Sequence, residues 1–348
     1  MSAARTLPLI ALTLGLAAAV TPPVSAQPQE PNTVNVYTTR EPALVMPLFT
    51  AFANETGISV QTVFVNQGIA ERLAAEGDNS PADVVMVVDY GQLINLVDRG
   101  LTQAAQSETL DEVIPENLRD PDGHWYSLSL RARVIYASVD RVEAETLTYE
   151  DLADPEWEGR VCSRSGQHPY NTSLFAAHLA KHGEEETEAY LAALRDNLAR
   201  TAGGGDRDGA RDILAGICDV AIGNSYYIGL MRSGLGGAEQ EEWAEAVRVI
   251  LPTFDDGLGT HVNISGAAVA ANAPNYENAV RLLEFLVTPE AQEIYAQGNY
   301  EYPVRDDVPV DPIIAALGDL VVDPLPLSEI AANRERASQL VDIVGFDN

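Results

Sequence analysis

The sequence predicts an α/β protein of two lobes that close on a cleft and are joined by two extended hinge crossovers. Three observations carry this. Between residues 33 and 100, β-branched runs alternate with amphipathic helical stretches, the pattern of a mostly parallel sheet covered by helices. Residues 123–138, GHWYSLSLRARVIYAS, then form one long extended stretch that breaks the alternation. Finally, the chain has 348 residues, more than the roughly 250–300 at which a single core stops growing.

The first segment stands outside the fold. Arg5 is the only early positive charge, residues 7–20 are nearly all apolar, and Val24, Ser25 and Ala26 offer small side chains at a cleavage point. Residues 1–26 therefore read as a Sec-type signal peptide. No cysteine stands at the cleavage point, so a lipid anchor is not expected, and the periplasm is the expected location. No later run approaches the roughly 18 apolar residues of a spanning helix.

The elements follow in order. Residues 33–38 read as a strand. Residues 42–56 read as a helix, with Leu44, Val45, Leu48, Phe49 and Phe52 on one face and Gly57 to end it. Residues 58–65 alternate as a strand, and 68–76 are helical. After the turn Ser80-Pro81-Ala82-Asp83, the unbroken run 84–88 reads as a parallel strand covered on both faces. A helix over 90–98 is stopped by Gly100. The extended stretch 123–138 is the expected crossover to the second lobe. There, a short helix over 149–153 and a strand over 160–162 precede helices over 171–182 and 184–198. Gly203, Gly204 and Gly205 make a loop; no Gly-Lys-Ser/Thr follows, so it is not a phosphate cradle. A helix over 209–215 leads to a strand over 218–222, a polar turn at Gly223, Asn224 and Ser225, and a helix opening at Tyr227. Residues 247–252 read as the return strand to the first lobe, 278–296 as one long helix, and 327–340 as the last. The expected division is 27–130 with 253–300 for the first lobe, and 131–252 with 301–348 for the second.

Composition excludes one class of partner. Fifty-two acidic residues against twenty-one basic ones give a formal net charge of −31, with Lys181 the single lysine. A nucleic-acid backbone needs a basic footprint that is missing here. Acidity alone says nothing about a ligand. The two cysteines, Cys162 and Cys218, form a disulfide candidate in an oxidising compartment. A two-cysteine zinc site is the weaker option, since no histidine lies at ligand spacing from either.

No catalytic arrangement stands out. None of the five histidines lies in an H-E-x-x-H or G-x-S-x-G context. His178 and His182 have a spacing that can hold zinc, but the charges around them, Lys181 and Glu184 to Glu186, favour a solvated helix face. The tyrosines say more. Tyr226 and Tyr227 stand side by side where a buried strand turns into a helix, the place at which α/β proteins present ligand groups. Tyr170 occupies the same kind of turn, and Tyr37 ends the first strand with Arg40 and Glu41 beyond it. Such a set suits Fe3+. A phenol with a pKa near 10 binds poorly until a hard trivalent cation displaces its proton. An arginine fork fits a bidentate oxyanion that completes the shell.

These residues carry a family likeness. The segments VYTTR (36–40), EGDNSPADVVMVVD (76–89), SLRARVIYAS (129–138), WEGRVCSRSGQHPYNTSL (157–174), GNSYYIGL (223–230) and TPEAQEIYAQGNYEYPV (288–304) together resemble the tyrosine-rich branch of the periplasmic ferric-ion-binding proteins of ABC importers. The resemblance implies a type II periplasmic binding protein that delivers Fe3+ to an ABC-type iron permease in the inner membrane, without catalysis and as a monomer. It carries the metal ligands over to Tyr170, Tyr226 and Tyr227. Ser165, Gly166 and Asn224, with Arg40 and Arg131, become the holders of a synergistic anion such as carbonate. Where many members of that branch have His-Tyr after the arginine, this chain has Glu41-Pro42. Proline cannot ligate, so the first lobe's share falls to Glu41, Tyr37, an anion on Arg40, or water. Two rivals stand beside this reading. One is a binding protein of the same fold for a polyamine, which calls for tryptophan faces where Trp125, Trp157 and Trp243 do not stand, or for a phosphorylated metabolite, which leaves Tyr226 and Tyr227 without a common purpose. The other is a secreted hydrolase.

Overall fold

The computed structural model describes residues 32–348; the expected signal peptide, 1–26, lies outside them. Ten strands are present among the described residues: β1 (Thr33–Thr38), β2 (Ser59–Phe64), β3 (Val84–Val87), β4 (Thr102–Gln103), β5 (Tyr126–Ser138), β6 (Val161–Cys162), β7 (Val220–Asn224), β8 (Val247–Ile250), β9 (Val262–Ala270) and β10 (Tyr302–Pro303). They join in the order β2-β1-β3-β9-β5-β7-β6, with β4 on β9 and with β8 and β10 on β5.

The expected crossover is β5. All thirteen of its residues are buried, because it belongs to two sheet regions in turn. Tyr126 to Ala132 pair with β9, while Arg133 to Ser138 pair with β7 and β8. The sheet is nonetheless not mostly parallel. Three pairings are parallel and six antiparallel. Chain returns beside β5 account for the difference, since strands entering next to a crossover run against it.

The return differs from the expectation. β8 stays on the second half of β5, and the chain re-enters the first sheet region one element later, as β9. That strand, VNISGAAVA, gives almost no strand signal at its centre, because small residues have low β-propensity. Its compact side chains are needed there: a Cβ at Gly266 would lie 2.7 Å from Leu93 Cδ1 and 2.8 Å from the Tyr126 carbonyl oxygen.

Helices cover the sheet. Pro42–Thr56 buries Val45, Leu48, Phe49 and Phe52, and ends at Gly57 with φ 72°, a left-handed cap that glycine adopts freely. The single helix expected over 278–296 is two, Tyr276–Leu286 and Pro289–Asn299. Pro289 has no N–H to continue the first, and the Thr288 hydroxyl accepts from the Ala291 N–H to start the second. The last stretch likewise divides at Asn333 into Leu327–Ala332 and Arg334–Val344. Cys162 and Cys218 are bonded to each other, which joins the end of β6 to the lead into β7. No helix among the described residues is long and apolar enough to cross a membrane.

Candidate functional site

Tyr226 and Tyr227 open the helix Ser225–Arg232 directly after β7. Adjacent helical residues normally diverge, yet their ring centres lie 4.0 Å apart. Tyr170 is at the start of the helix Pro169–His182, behind Pro169 and the His168 cap, whose Nδ1 accepts from the Tyr170 N–H. Tyr170 and Tyr226 line one cavity of about 240 Å³, together with Thr39, Arg40, Glu41 and Arg131.

The Tyr226 and Tyr227 phenols are shifted by their surroundings. Burial, and then the charges that Tyr170 and Tyr227 would bear, hold the Tyr226 phenol well above its ordinary value, while Arg131 opposes the shift. Tyr227 is raised as well, by burial first and Tyr170 next, while its hydrogen bond with Tyr226 works the other way. Together with Tyr170 they make a set of three phenols with the chemistry to take a cation. Guanidinium groups frame them: Arg164, Arg131 and Arg133 lie 5.0, 5.7 and 5.9 Å from the Tyr170 ring centre, and Arg207 lies 5.6 Å from that of Tyr227.

Comparison with known proteins gives the family. Residues 79–315 match the family of bacterial extracellular solute-binding proteins. A Bordetella ferric binding protein is 58% identical with a TM-score of 0.88, covering 91% of this chain and 100% of that one. Iron uptake protein A2 of Synechocystis sp. is 43% identical over 317 residues, 90% of each chain. A Trichodesmium protein solved in complex with iron and citrate ligands is 38% identical with a TM-score of 0.87, over 90% of this chain and 99% of the other. The chain belongs to the ferric-binding proteins of this solute-binding family. Its fold is accordingly the type II binding-protein fold.

Within this ferric-binding protein, several expected site residues are placed otherwise. The Tyr37 hydroxyl donates to both carboxylate oxygens of Glu76 at 3.0 Å, and its ring lies under Arg72. Tyr37 is thus held by Glu76 and Arg72 and is not among the residues that line the cavity. Glu41 stays, exposed, on the rim. Ser165 and Gly166 already hold an anion, the chain's own: the Ser165 hydroxyl donates to Asp347 Oδ2 at 2.5 Å and the Gly166 N–H to Oδ1 at 2.7 Å. Their donors anchor the C-terminus rather than face the cavity. Asn224 accepts from Arg133 Nη1 at 3.1 Å, and its buried Nδ2 has no partner among the described residues.

The arginines also divide. Arg40 is committed through Nη1 to Ser265 and through Nη2 to Glu301, both at 2.6 Å. Arg131 donates through Nη2 to the carbonyls of Val88 and Ile264, and its buried Nε has no partner among the described residues. Arg40 Nε is likewise buried without a partner among the described residues, but Arg131 bonds through Nη2 alone and so has the freer edge.

Sequence reasoning missed Arg133 and Asp206. Asp206 is fully buried; it accepts from Arg133 at 2.7 Å, from Arg164 at 3.0 Å and from the Asn224 N–H at 2.9 Å. It thereby ties the turn ahead of Tyr226 to the arginines around Tyr170. One signal was available. Arg131 and Arg133 are two apart on a strand, hence on one face, and two guanidinium groups on a buried face need an anionic purpose.

Proposed function

We propose that this protein is a periplasmic carrier that captures Fe3+ through the phenolate oxygens of Tyr170, Tyr226 and Tyr227 and delivers it to an ABC-type permease. The iron is cargo, and no bond-making step of catalysis is needed. Carbonate or another small oxyanion, held at the Nε edge of Arg131 with Arg40 beside it, completes the shell, and Glu41 closes the rim. Citrate fits the same chemistry. The observation that carries this reading is the convergence of tyrosines from two separate strand-to-helix turns: the Tyr226 and Tyr227 ring centres lie 4.0 Å apart, and Tyr170 and Tyr226 line one cavity with Arg40 and Arg131. Three phenolates cancel the charge of a trivalent ion, and the surrounding arginines offset the added anion. The relatives named for ferric iron and iron uptake support the choice of cargo.

Lobes of 27–130 with 253–300, and 131–252 with 301–348, would close on the ion, since a closed form gains contacts the open form lacks. Adding ferric citrate to the purified protein should give an orange to red colour from phenolate-to-iron charge transfer. The double variant Tyr226→Phe with Tyr227→Phe should stay colourless, and colour persisting in it refutes the ligand set.

A further inference from the structure

The helix Pro169–His182 carries Tyr170 at one end and a second group of ligand atoms at the other, about 12–18 Å away at 1.5 Å per residue. His178 and His182, one turn apart, meet Glu150 from a neighbouring segment. One ligand atom from each lies within 4.8 Å of the other two. Glu150 Oε1 is 3.2 Å from His182 Nε2 and 3.8 Å from His178 Nε2, and Asp255 Oδ1 is 3.7 Å from the same His182 nitrogen. Ligands held tetrahedrally on zinc at bonds of about 2.0–2.1 Å stand roughly 3.3 Å from one another. The observed spacings are close to that and slightly open.

Hydrogen bonding decides which atoms are free. His178 Nδ1 lies 2.8 Å from the Thr187 hydroxyl, which gives its own hydrogen to the Gly183 carbonyl at 2.7 Å. Nδ1 must therefore be the donor, and His178 Nε2 is left with a lone pair turned towards a carboxylate. This is how metal-binding histidines are usually oriented, by an acceptor on the far nitrogen. Both Glu150 oxygens and His182 Nε2 are buried without a hydrogen-bond partner among the described residues. His178 cannot supply the charge: burial, and then the His182 ring, push its imidazole down to about 3. It is 3% exposed, so the solvated helix face expected from its charged neighbours is not what forms. A buried carboxylate facing two ring nitrogens, with no proton donor aligned to it, is short of a cation.

We propose that Glu150, His178 and His182 bind Zn2+, with the fourth position open to Asp255 or water, as a site separate from the cleft. Two imidazoles and one carboxylate suit a borderline dication, whereas phenolates suit the ferric ion. The rival is a proton shared between Glu150 and His182, for burial raises the Glu150 carboxyl above the usual range.

Zinc chloride titrated into untagged, metal-stripped protein against a chromophoric zinc indicator distinguishes the two. One equivalent should be withdrawn from the indicator. Glu150→Gln and His182→Ala should each weaken binding by at least about tenfold, and Thr187→Val, which frees the His178 ring, by about tenfold. The Tyr226→Phe, Tyr227→Phe variant should take up zinc unchanged. Since ligand variants of a packed site can fold poorly, unaltered protein should also be titrated with Co2+, whose visible absorption reports tetrahedral nitrogen and oxygen ligands. No zinc withdrawn, zinc binding indifferent to both ligand variants, or a Co2+ spectrum of the six-coordinate aquo kind would overturn the proposal and leave the shared proton.

Discussion

Tyr226 is the side chain on which the cleft chemistry turns, and its protonation sets the conditions under which iron is held. Burial, Tyr170 and Tyr227 all raise its phenol, so without cargo it stays protonated throughout the neutral range. Iron must displace the phenol protons. Below the phenol pKa each displaced proton adds one unit to the slope of log affinity against pH. The sign is that affinity rises with pH and falls on acidification. With three phenols, the slope between about pH 6 and 8 should approach three, measured by competition with a chelator whose own protonation is known. In Tyr227→Phe it should drop by about one, and a slope near zero in the parent protein would contradict phenolate ligation. The helix starts that carry Tyr170, Tyr226 and Tyr227 were legible in the sequence because a strand-to-helix turn announces itself in order: apolar run, small polar residues, helix. The anion side was less so. Ser165 and Gly166 have the right chemistry, but only the fold brings Asp347, 181 residues beyond Gly166, onto them. Tyr37 does end its strand, but only the fold brings Glu76 and Arg72 onto its side chain.

At the scale of elements, β6 and β7 hold the two tyrosine turns in register, and a covalent link reinforces them. β6 is two residues long and pairs in parallel with β7 at Val161 and Cys162, too little hydrogen bonding to fix a strand alone. The Cys162–Cys218 bridge spans 56 residues of sequence. Closing a loop of that size restrains the unfolded chain by about 4 kcal/mol in the chain-entropy account. The double variant Cys162→Ser with Cys218→Ser should therefore unfold at lower urea by an amount equivalent to about 2–4 kcal/mol. It should also bind iron more weakly than that loss alone accounts for, because Tyr170 and Tyr226 lie just downstream of the two cysteines. An unchanged urea midpoint in the double variant would count against the bridge as a stabiliser. Elements with strong periodicity, such as Pro42–Thr56, were legible. β9 was not, because its small residues answer to the close approach of Leu93 and Tyr126, which no local pattern encodes. The break at Thr288-Pro289 was written in the chain, as a capping residue before a proline, and a continuous apolar face concealed it.

Across the whole molecule, closure on the cargo needs contacts that reach from one proposed lobe to the other away from the metal. Two are present. Arg334 Nη1 donates to Asp89 Oδ1 at 2.8 Å, with both side chains largely buried. The Tyr90 hydroxyl meets Ser173 Oγ at 2.8 Å, and that oxygen meets His261 Nε2 at 2.8 Å. Asp89 has further donors in the Gly91 N–H at 2.9 Å and Asn263 Nδ2 at 2.7 Å. Removing Arg334 therefore does not strand a buried charge without partners, and the loss approximates the latch itself. A hydrogen bond between charged groups at this burial is worth about 1.5–3 kcal/mol, or roughly tenfold to a hundredfold in an equilibrium constant. Most of such a change falls on the rate of release rather than of capture. Arg334→Ala should thus lose Fe3+ to a competing chelator at least about tenfold faster, with the charge-transfer colour of the loaded protein unaltered because no ligand has been touched. Solution scattering of the variant should show a larger radius of gyration in the presence of iron than the parent protein has. Release at the parent rate would mean that the phenolates and anion alone hold the lobes shut, and that the Asp89–Arg334 pair only decorates a cleft closed by its cargo.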